Sequence, residues 1–187
     1  MLELFIYRGQ FQLATEDALY SDGKRYKPMK MAFKHLKAQL HDAKEILFLG
    51  GGLCSGIQML EEKSIAAQYT VVEIDDNIID YAKAFFDKDV AVRFICADAQ
   101  EYMRTIDRKY DLIVVDIFNS RVPAEFVTEE GFLLQCRNAL NNGGSFVLNY
   151  IVNGYPLWED ALEQISTVFP SNTVLKYDIN RIVIATV

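Results

Sequence analysis

Hydrophobic residues in this chain arrive as short, nearly continuous runs separated by stretches with helical spacing. The run over residues 45–49 (Glu45-Ile46-Leu47-Phe48-Leu49) is stopped by Gly50-Gly51-Gly52. Runs of this kind suit strands buried on both faces of a parallel sheet. Residues 69–74, 92–96 and 111–116 repeat the pattern. A fifth strand over 145–151 follows the turn Asn141-Asn142-Gly143-Gly144. Between the runs the spacing predicts helices over 56–62, from Asp75-Asp76-Asn77 to about Phe86, over 99–106, 128–140 and 157–169. Ile78, Ala82 and Phe85 face inward from one of them, Phe132, Cys136 and Leu140 from another, and Leu162, Ile165 and Phe169 from the last. Asp75-Asp76-Asn77 supplies N-cap chemistry.

Ahead of the alternation, two extended pieces over 2–7 and 11–13 flank Gly9 and predict a hairpin or covering strand. The polar stretch 17–27 contains the turn signal Ser21-Asp22-Gly23, and a helix begins at Pro28 with Met29, Phe33, Leu36 and Leu40 on one face. The chain closes with two extended runs, 173–177 and 181–187, near enough to form a hairpin. Strand–helix alternation implies right-handed crossovers and helices on both faces of the sheet. The expected fold is therefore Rossmann-like doubly wound α/β. Its mainly parallel seven-stranded sheet ends in an antiparallel hairpin, with an N-terminal strand and turn extension over 1–27 and the main domain over 28–187.

The 187 residues show no Pro/Gly/Ser-rich divide, so one domain with a sizeable core is expected. No apolar run reaches the roughly 18–20 residues that span a bilayer. The N-terminus carries Glu3 and no basic lead, unlike a signal peptide. These features predict a cytoplasmic protein without a membrane partner. A net charge of −7 argues against nucleic acid, which needs clustered Lys and Arg. Cys54, Cys96 and Cys136 stand far apart, and His35 and His41 are the only histidines, so no metal site is expected. Lys24, Arg25, Lys27 and Lys30 read as a solvated face. Tyr150, Tyr155 and Trp158, near Pro156, read as packing.

In an open parallel sheet, ligands bind outside the carboxyl ends of the strands. Gly50, Gly51 and Gly52 follow the first strand and precede a helix, so a ligand can approach their backbone. Glu73, about twenty residues on, is placed to accept both hydroxyls of a ribose. Asp98, followed by Ala99, either accepts from an adenine amino group or caps a helix. Asp116 ends an apolar run, where partial desolvation raises its basicity and suits it to deprotonate an amine. Three acids at successive strand ends with a glycine turn point to a nucleoside-bearing cofactor. NAD shares the glycine turn and the ribose acid only.

At these residues the chain resembles the spermidine synthases and their relatives. The resemblance is carried by Ile46–Gly52, Val72-Glu73-Ile74-Asp75, Ala97-Asp98-Ala99, the run from Tyr110 to Asp116, Pro123-Ala124-Glu125 and Leu140-Asn141-Asn142-Gly143-Gly144. Gly9, Gln12, Tyr26 and Met29 look like the family's preceding strand and turn. The resemblance implies the seven-stranded sheet of S-adenosylmethionine-dependent transferases. It implies a cofactor that is S-adenosylmethionine or its decarboxylated form, leaving S-adenosylhomocysteine or methylthioadenosine. It also implies transfer of an aminopropyl or methyl group to a small-molecule acceptor such as a polyamine amine. By resemblance Gln12 touches the cofactor tail, Tyr26 closes the amine pocket and Asp116 holds and deprotonates the attacking amine. The N-terminal strands could pair in a homodimer.

The chain also departs from the family pattern. Leu53 stands where aminopropyltransferases carry an acid for the cofactor's amino group. Asn119 stands where a second substrate-binding acid follows the catalytic one, and Lys27-Pro28 replace glutamine and glutamate after the tyrosine. Each change removes negative charge, adds positive charge, or does both. A methyltransferase on the same sheet, or a non-catalytic nucleoside-binding or assembly protein, remain the alternatives.

Overall fold

The structure, a computed structural model, describes residues 3–16, 19–85, 90–152 and 157–187. Leu2, Asp17, Phe86, Tyr155 and Pro156, and the side chain of Phe85, used in the sequence reading, lie outside the described residues. The chain opens with a three-stranded antiparallel sheet, β1 (Glu3–Tyr7), β2 (Gln10–Ala14) and β3 (Leu19–Ser21). A 3-10 turn over Gly23–Arg25 leads into α1 (Lys27–His35) and α2 (Lys37–His41). The single helix expected from Pro28 thus breaks at Leu36, whose ψ of 16° leaves the helical region. The inward face survives the break: Met29, Phe33, Leu36 and Leu40 are all buried.

The alternation follows as β4 (Glu45–Leu49), α3 (Ser55–Glu62), β5 (Gln68–Glu73), α4 (Asp76–Phe85), β6 (Val92–Cys96), α5 (Ala99–Thr105) and β7 (Tyr110–Val115). A small hairpin, β8 (Phe118–Asn119) and β9 (Val122–Pro123), precedes a 3-10 turn over Glu125–Thr128. Glu129 is extended, so α6 spans only Glu130–Asn138 rather than starting at 128. Then come β10 (Leu140–Ile151), α7 (Leu157–Val168), β11 (Asn172–Tyr177) and β12 (Asn180–Thr186). The expected turn at 141–144 is instead an irregular start to β10. Leu140 pairs with Tyr110 and regular pairing resumes at Ser145, while Gly143 N and Gly144 O bond Val187.

The main sheet has the order β11-β12-β10-β7-β4-β5-β6. β10, β7, β4, β5 and β6 pair in parallel, and β12 runs antiparallel to both its neighbours. This is the mixed seven-stranded sheet with a terminal hairpin that the pattern implied. Successive strand residues enter opposite cores. Leu47, Leu49, Ile113 and Val115 pack with α6 and α7 on one face, whereas Ile46, Phe48, Leu112 and Val114 pack with α1 and α3 on the other. Both faces are covered, which is why these strands read as continuous apolar runs rather than alternating ones. Among the described residues no helix is long and apolar enough to cross a membrane.

Candidate active site

Because β6, β5, β4 and β7 are neighbours in that order, their carboxyl ends bring Asp98, Glu73, the glycine turn and Asp116 to one edge. Gly50, Glu73 and Asp98 border a cleft of about 690 Å³ whose lining includes Ala99, Asn119 and Phe126, while Asp116 lines a smaller pocket of about 110 Å³ with the glycine turn and Glu73. Gly50 is what allows the edge to close. Its φ is +81°, and a Cβ there would lie 2.4 Å from the carbonyl oxygen of Asp116. Without a side chain, the turn after β4 can press against the end of β7, where Asp116 N donates to Leu49 O.

Glu73 is fastened to that turn. Its Oε2 accepts from Gly51 N (3.1 Å) and Gly52 N (3.4 Å), and its Oε1 from Ile74 N (2.9 Å) and Asp75 N (3.3 Å). A carboxylate offers about four lone-pair positions, so the backbone addresses all of them. The two long bonds, to Gly52 and Asp75, are the ones that stronger hydroxyl donors would displace. Asp75 performs the capping that Glu73 does not, accepting from Asn77 N at 2.9 Å. Asp98 caps α5: its Oδ1 accepts from Glu101 N at 3.0 Å. The capping role left open from spacing is therefore present, while the side chain still borders the cleft.

Asp116 lies half-buried at the inner end of the edge. Its Oδ1 accepts from Asn149 Nδ2 at 2.7 Å and from Tyr26 Oη at 3.3 Å. Asn149 Nδ2 also donates to Tyr26 Oη at 3.1 Å, and its own carbonyl accepts from Asn180 Nδ2 at 2.9 Å. Oδ2 of Asp116 has no protein donor among the described residues. Burial pushes the Asp116 carboxyl up to about 7, against the lowering effect of the Asn149 and Tyr26 hydrogen bonds. Burial and the adjacent Asp116 charge raise the Tyr26 phenol well above its ordinary value, so it stays a neutral donor. Tyr20 completes the wall. Its ring lies 5.1 Å from that of Phe118, and its hydroxyl accepts from Ser120 N.

On the other side of Tyr26 opens a second cavity of about 260 Å³, whose lining includes Tyr26, Lys27, Phe118, Arg121 and Asn180. Of the expected residues, Gly50, Glu73, Asp98 and Ala99 line the larger cleft, Tyr26 lines the second cavity, and Asp116 lines neither. Tyr26 reaches Asp116 across 90 positions of sequence. Asn119, on the β8–β9 hairpin, borders the larger cleft together with Glu73 and Asp98. Gln12 is buried and donates to Asp22 Oδ1 at 2.6 Å, an oxygen that also accepts from Arg25 Nη2 at 3.0 Å. Leu53 is only 2% exposed and packs with Leu13 and Ile78. In the basic run 24–30, Lys24, Lys27 and Lys30 are exposed, Lys24 pairing with Glu62 at the surface, and Arg25 and Lys27 also line the second cavity. Tyr150 packs on Trp158, their rings 5.4 Å apart.

Sequence reasoning missed Asn149 and Asn180. Asn149 had a usable signal: it is a lone amide within the apolar run Phe146-Val147-Leu148-Asn149, on a strand buried on both faces. A buried amide needs partners, and Asn149 is 1% exposed. Asn180 carried no such signal, since its role depends on where the terminal hairpin folds back.

Known proteins similar to this chain include two polyamine-related transferases and one methyltransferase. Polyamine aminopropyltransferase 1 of Pseudomonas aeruginosa is 29% identical over 133 residues, covering 67% of this chain and 44% of that protein. The spermidine synthase of Thermotoga maritima superposes with a TM-score of 0.75 at 20% identity, covering 99% of this chain and 68% of that one. Human methyltransferase-like protein 13, in complex with SAH, gives a TM-score of 0.71 at 21% identity, covering 84% and 78%. The chain spans less than half the length of the curated relatives it matches. A model of the spermine/spermidine synthase domain matches residues 26–178, from Tyr26 through the strand-end acids to the terminal hairpin, and the chain belongs to that family.

Proposed function

We propose that this chain is a transferase that binds S-adenosylmethionine or its decarboxylated form and passes an aminopropyl or methyl group to the amine of a small acceptor. The observation that carries this reading is Asp116. A carboxyl pushed up to about 7 by burial lines a pocket of about 110 Å³ together with Gly50, Glu73, Tyr20 and Phe118, with one oxygen fixed by Asn149 and Tyr26. Its other oxygen is left to take a proton.

The residues fit the cofactor. Glu73 has two long hydrogen bonds to yield to ribose hydroxyls. Ile78, Ala97 and Phe126 offer apolar contact in a cleft large enough for a nucleoside. The bound cofactor supplies a sulfonium, whose adjacent carbon is open to displacement. The transfer would join that carbon to the acceptor nitrogen and leave the electron pair on sulfur, while Oδ2 of Asp116 would take the ammonium proton. Holding the amine in line and accepting that proton is most of the work, since the leaving group is already good. Tyr26 and Asn149 keep the carboxylate aimed.

One observation favours methyl transfer from the carboxylated cofactor. Leu53 is buried against Leu13 and Ile78, so the acid that would select the decarboxylated amino tail is missing and has no room. Calorimetric binding of S-adenosylmethionine, its decarboxylated form and methylthioadenosine, each repeated with Glu73→Ala, separates the cases. Preference for the decarboxylated form supports aminopropyl transfer, and preference for the carboxylated form supports methyl transfer. No binding of any of the three would leave a non-catalytic role.

A further inference from the structure

We infer that Tyr20 reads the positive charge on the cofactor's sulfur and so favours the sulfonium over the neutral thioether left after transfer. The inference rests on the proposed cofactor and concerns the pocket between its ribose acid and the base. That pocket, about 110 Å³, is lined by Glu73 and Asp116 together, with Tyr20 and Phe118 as its aromatic wall. In the proposed reading Glu73 takes the ribose and Asp116 faces the reacting carbon, so the sulfur lies between them, in this pocket. Tyr20 and Phe118 also line the larger cleft, so the ring pair is common to both spaces.

The charge around the pocket suits a cation. Among the described residues no lysine or arginine lines the pocket or the cleft, whereas Glu73, Asp75, Asp98, Glu125 and Asp116 each line one or both. A sulfonium bears charge but no N–H or O–H, so hydrogen-bond acceptors cannot grip it. An aromatic face can, as it does for quaternary ammonium ligands. The two acids of the pocket are also engaged elsewhere. Glu73 accepts from four backbone N–H groups, and Asp116 accepts from Asn149 and Tyr26. Tyr20, by contrast, is locked beside the pocket. Its hydroxyl accepts from Ser120 N, and its ring lies 5.1 Å from that of Phe118. Its backbone is fixed against the glycine turn, where a Cβ on Gly52 would lie 3.1 Å from Tyr20 O. The next residue, Ser21, is buried with its Oγ 2.6 Å from Ser55 Oγ. A ring held at both ends loses little freedom on contact, so its attraction appears in affinity.

The test uses S-adenosylmethionine and S-adenosylhomocysteine, which share one tail and differ in the methylated, charged sulfur. Each is titrated calorimetrically into the full chain, into Tyr20→Leu and into Tyr20→Phe, and the ratio of the two affinities is the readout. The expected result is a ratio that falls about tenfold in Tyr20→Leu, all of it through weaker binding of S-adenosylmethionine. An S-adenosylhomocysteine affinity within about twofold of the parent's verifies that this variant folds. Tyr20→Phe keeps the ring and gives up only the Ser120 tether, so it disturbs the fold least and should keep most of the parent's ratio. An unchanged ratio in Tyr20→Leu, including an equal loss of both ligands, would overturn the inference. So would a ratio that falls as far in Tyr20→Phe as in Tyr20→Leu. Failure of both ligands and of methylthioadenosine to bind the parent chain would instead strike at the cofactor reading.

Discussion

At the scale of single residues, the arrangement of interest is the chain of amides behind the carboxylate. Asn180 donates to the carbonyl of Asn149, which fixes the Asn149 amide so that its NH₂ faces Asp116 and Tyr26. Asn180 is thus a positioning residue that acts through Asn149. Because the Asn149 hydrogen bond lowers the Asp116 pKa against burial, weakening it leaves the carboxyl protonated to higher pH. A base must be ionised to work, so transfer measured as kcat/KM should rise with pH through a midpoint near 7. In Asn180→Ala the Asn149 amide is free to turn its carbonyl toward the carboxylate. The midpoint should then move up, and the rate at pH 7 should fall roughly tenfold, the worth of about 1.4 kcal/mol of lost hydrogen bonding. The shift of the pH profile separates this role from a structural one. A uniform loss of rate at every pH would show that Asn180 only braces the hairpin.

At the scale of elements, the turns after strands decide the geometry, and two glycines illustrate opposite reasons for their presence. Gly50 has φ +81° and would place a Cβ 2.4 Å from the Asp116 carbonyl, whereas an added Cβ at Gly131 in α6 meets nothing within 4 Å. Gly50→Ala should destabilise the protein by about 2–3 kcal/mol, from left-handed strain and backbone collision, and weaken methylthioadenosine binding by displacing Asp116. Gly131→Ala should stabilise by about 0.5–1 kcal/mol. Urea unfolding of both variants checks the pair. Leu53→Asp, which puts back the acid seen in aminopropyltransferases, should cost about 3–5 kcal/mol rather than restore cofactor selection, because Leu13 and Ile78 enclose the position. The same scale explains what was legible in the sequence. β4, β5 and β7 could be read because burial on both faces makes each a nearly continuous apolar run ended by a site residue. The break at Leu36 and the bulge before Ser145 could not. Both answer to tertiary partners, the first to the buried face shared by α1 and α2, the second to hydrogen bonds with Val187.

At the scale of the molecule, the site exacts a measurable cost in stability. The strand-end acids were legible because each closes an apolar run. How Asp116 is held was not, since Tyr26, Asn149 and Asn180 come from three distant parts of the chain and meet only after the sheet has formed. The meeting buries a carboxyl, and burial raises its pKa from 3.8 to about 7. Between those values the folded protein keeps a proton that the unfolded chain has released. The folded state then binds more protons, so stability must fall as pH rises through that window. Above the window the buried charge costs about 2–4 kcal/mol. Asp111 works in the opposite sense. Burial opposes its ionisation, but the backbone N–H groups of Lys44 and Glu45 and the Asn149-like donor Asn141 hold its carboxyl below the usual range. Its contribution is present above the ordinary carboxylate pKa and is lost in stronger acid. The two effects occupy different pH ranges, so a comparison with Asp116→Asn isolates the first. The variant should be more stable than the parent at pH 8 by about 2–4 kcal/mol. The gap should narrow steadily toward pH 5, as read from urea unfolding midpoints. A gap that did not change with pH would mean that the Asp116 carboxylate is solvated in the folded protein, and its assignment as a tuned base would have to be given up.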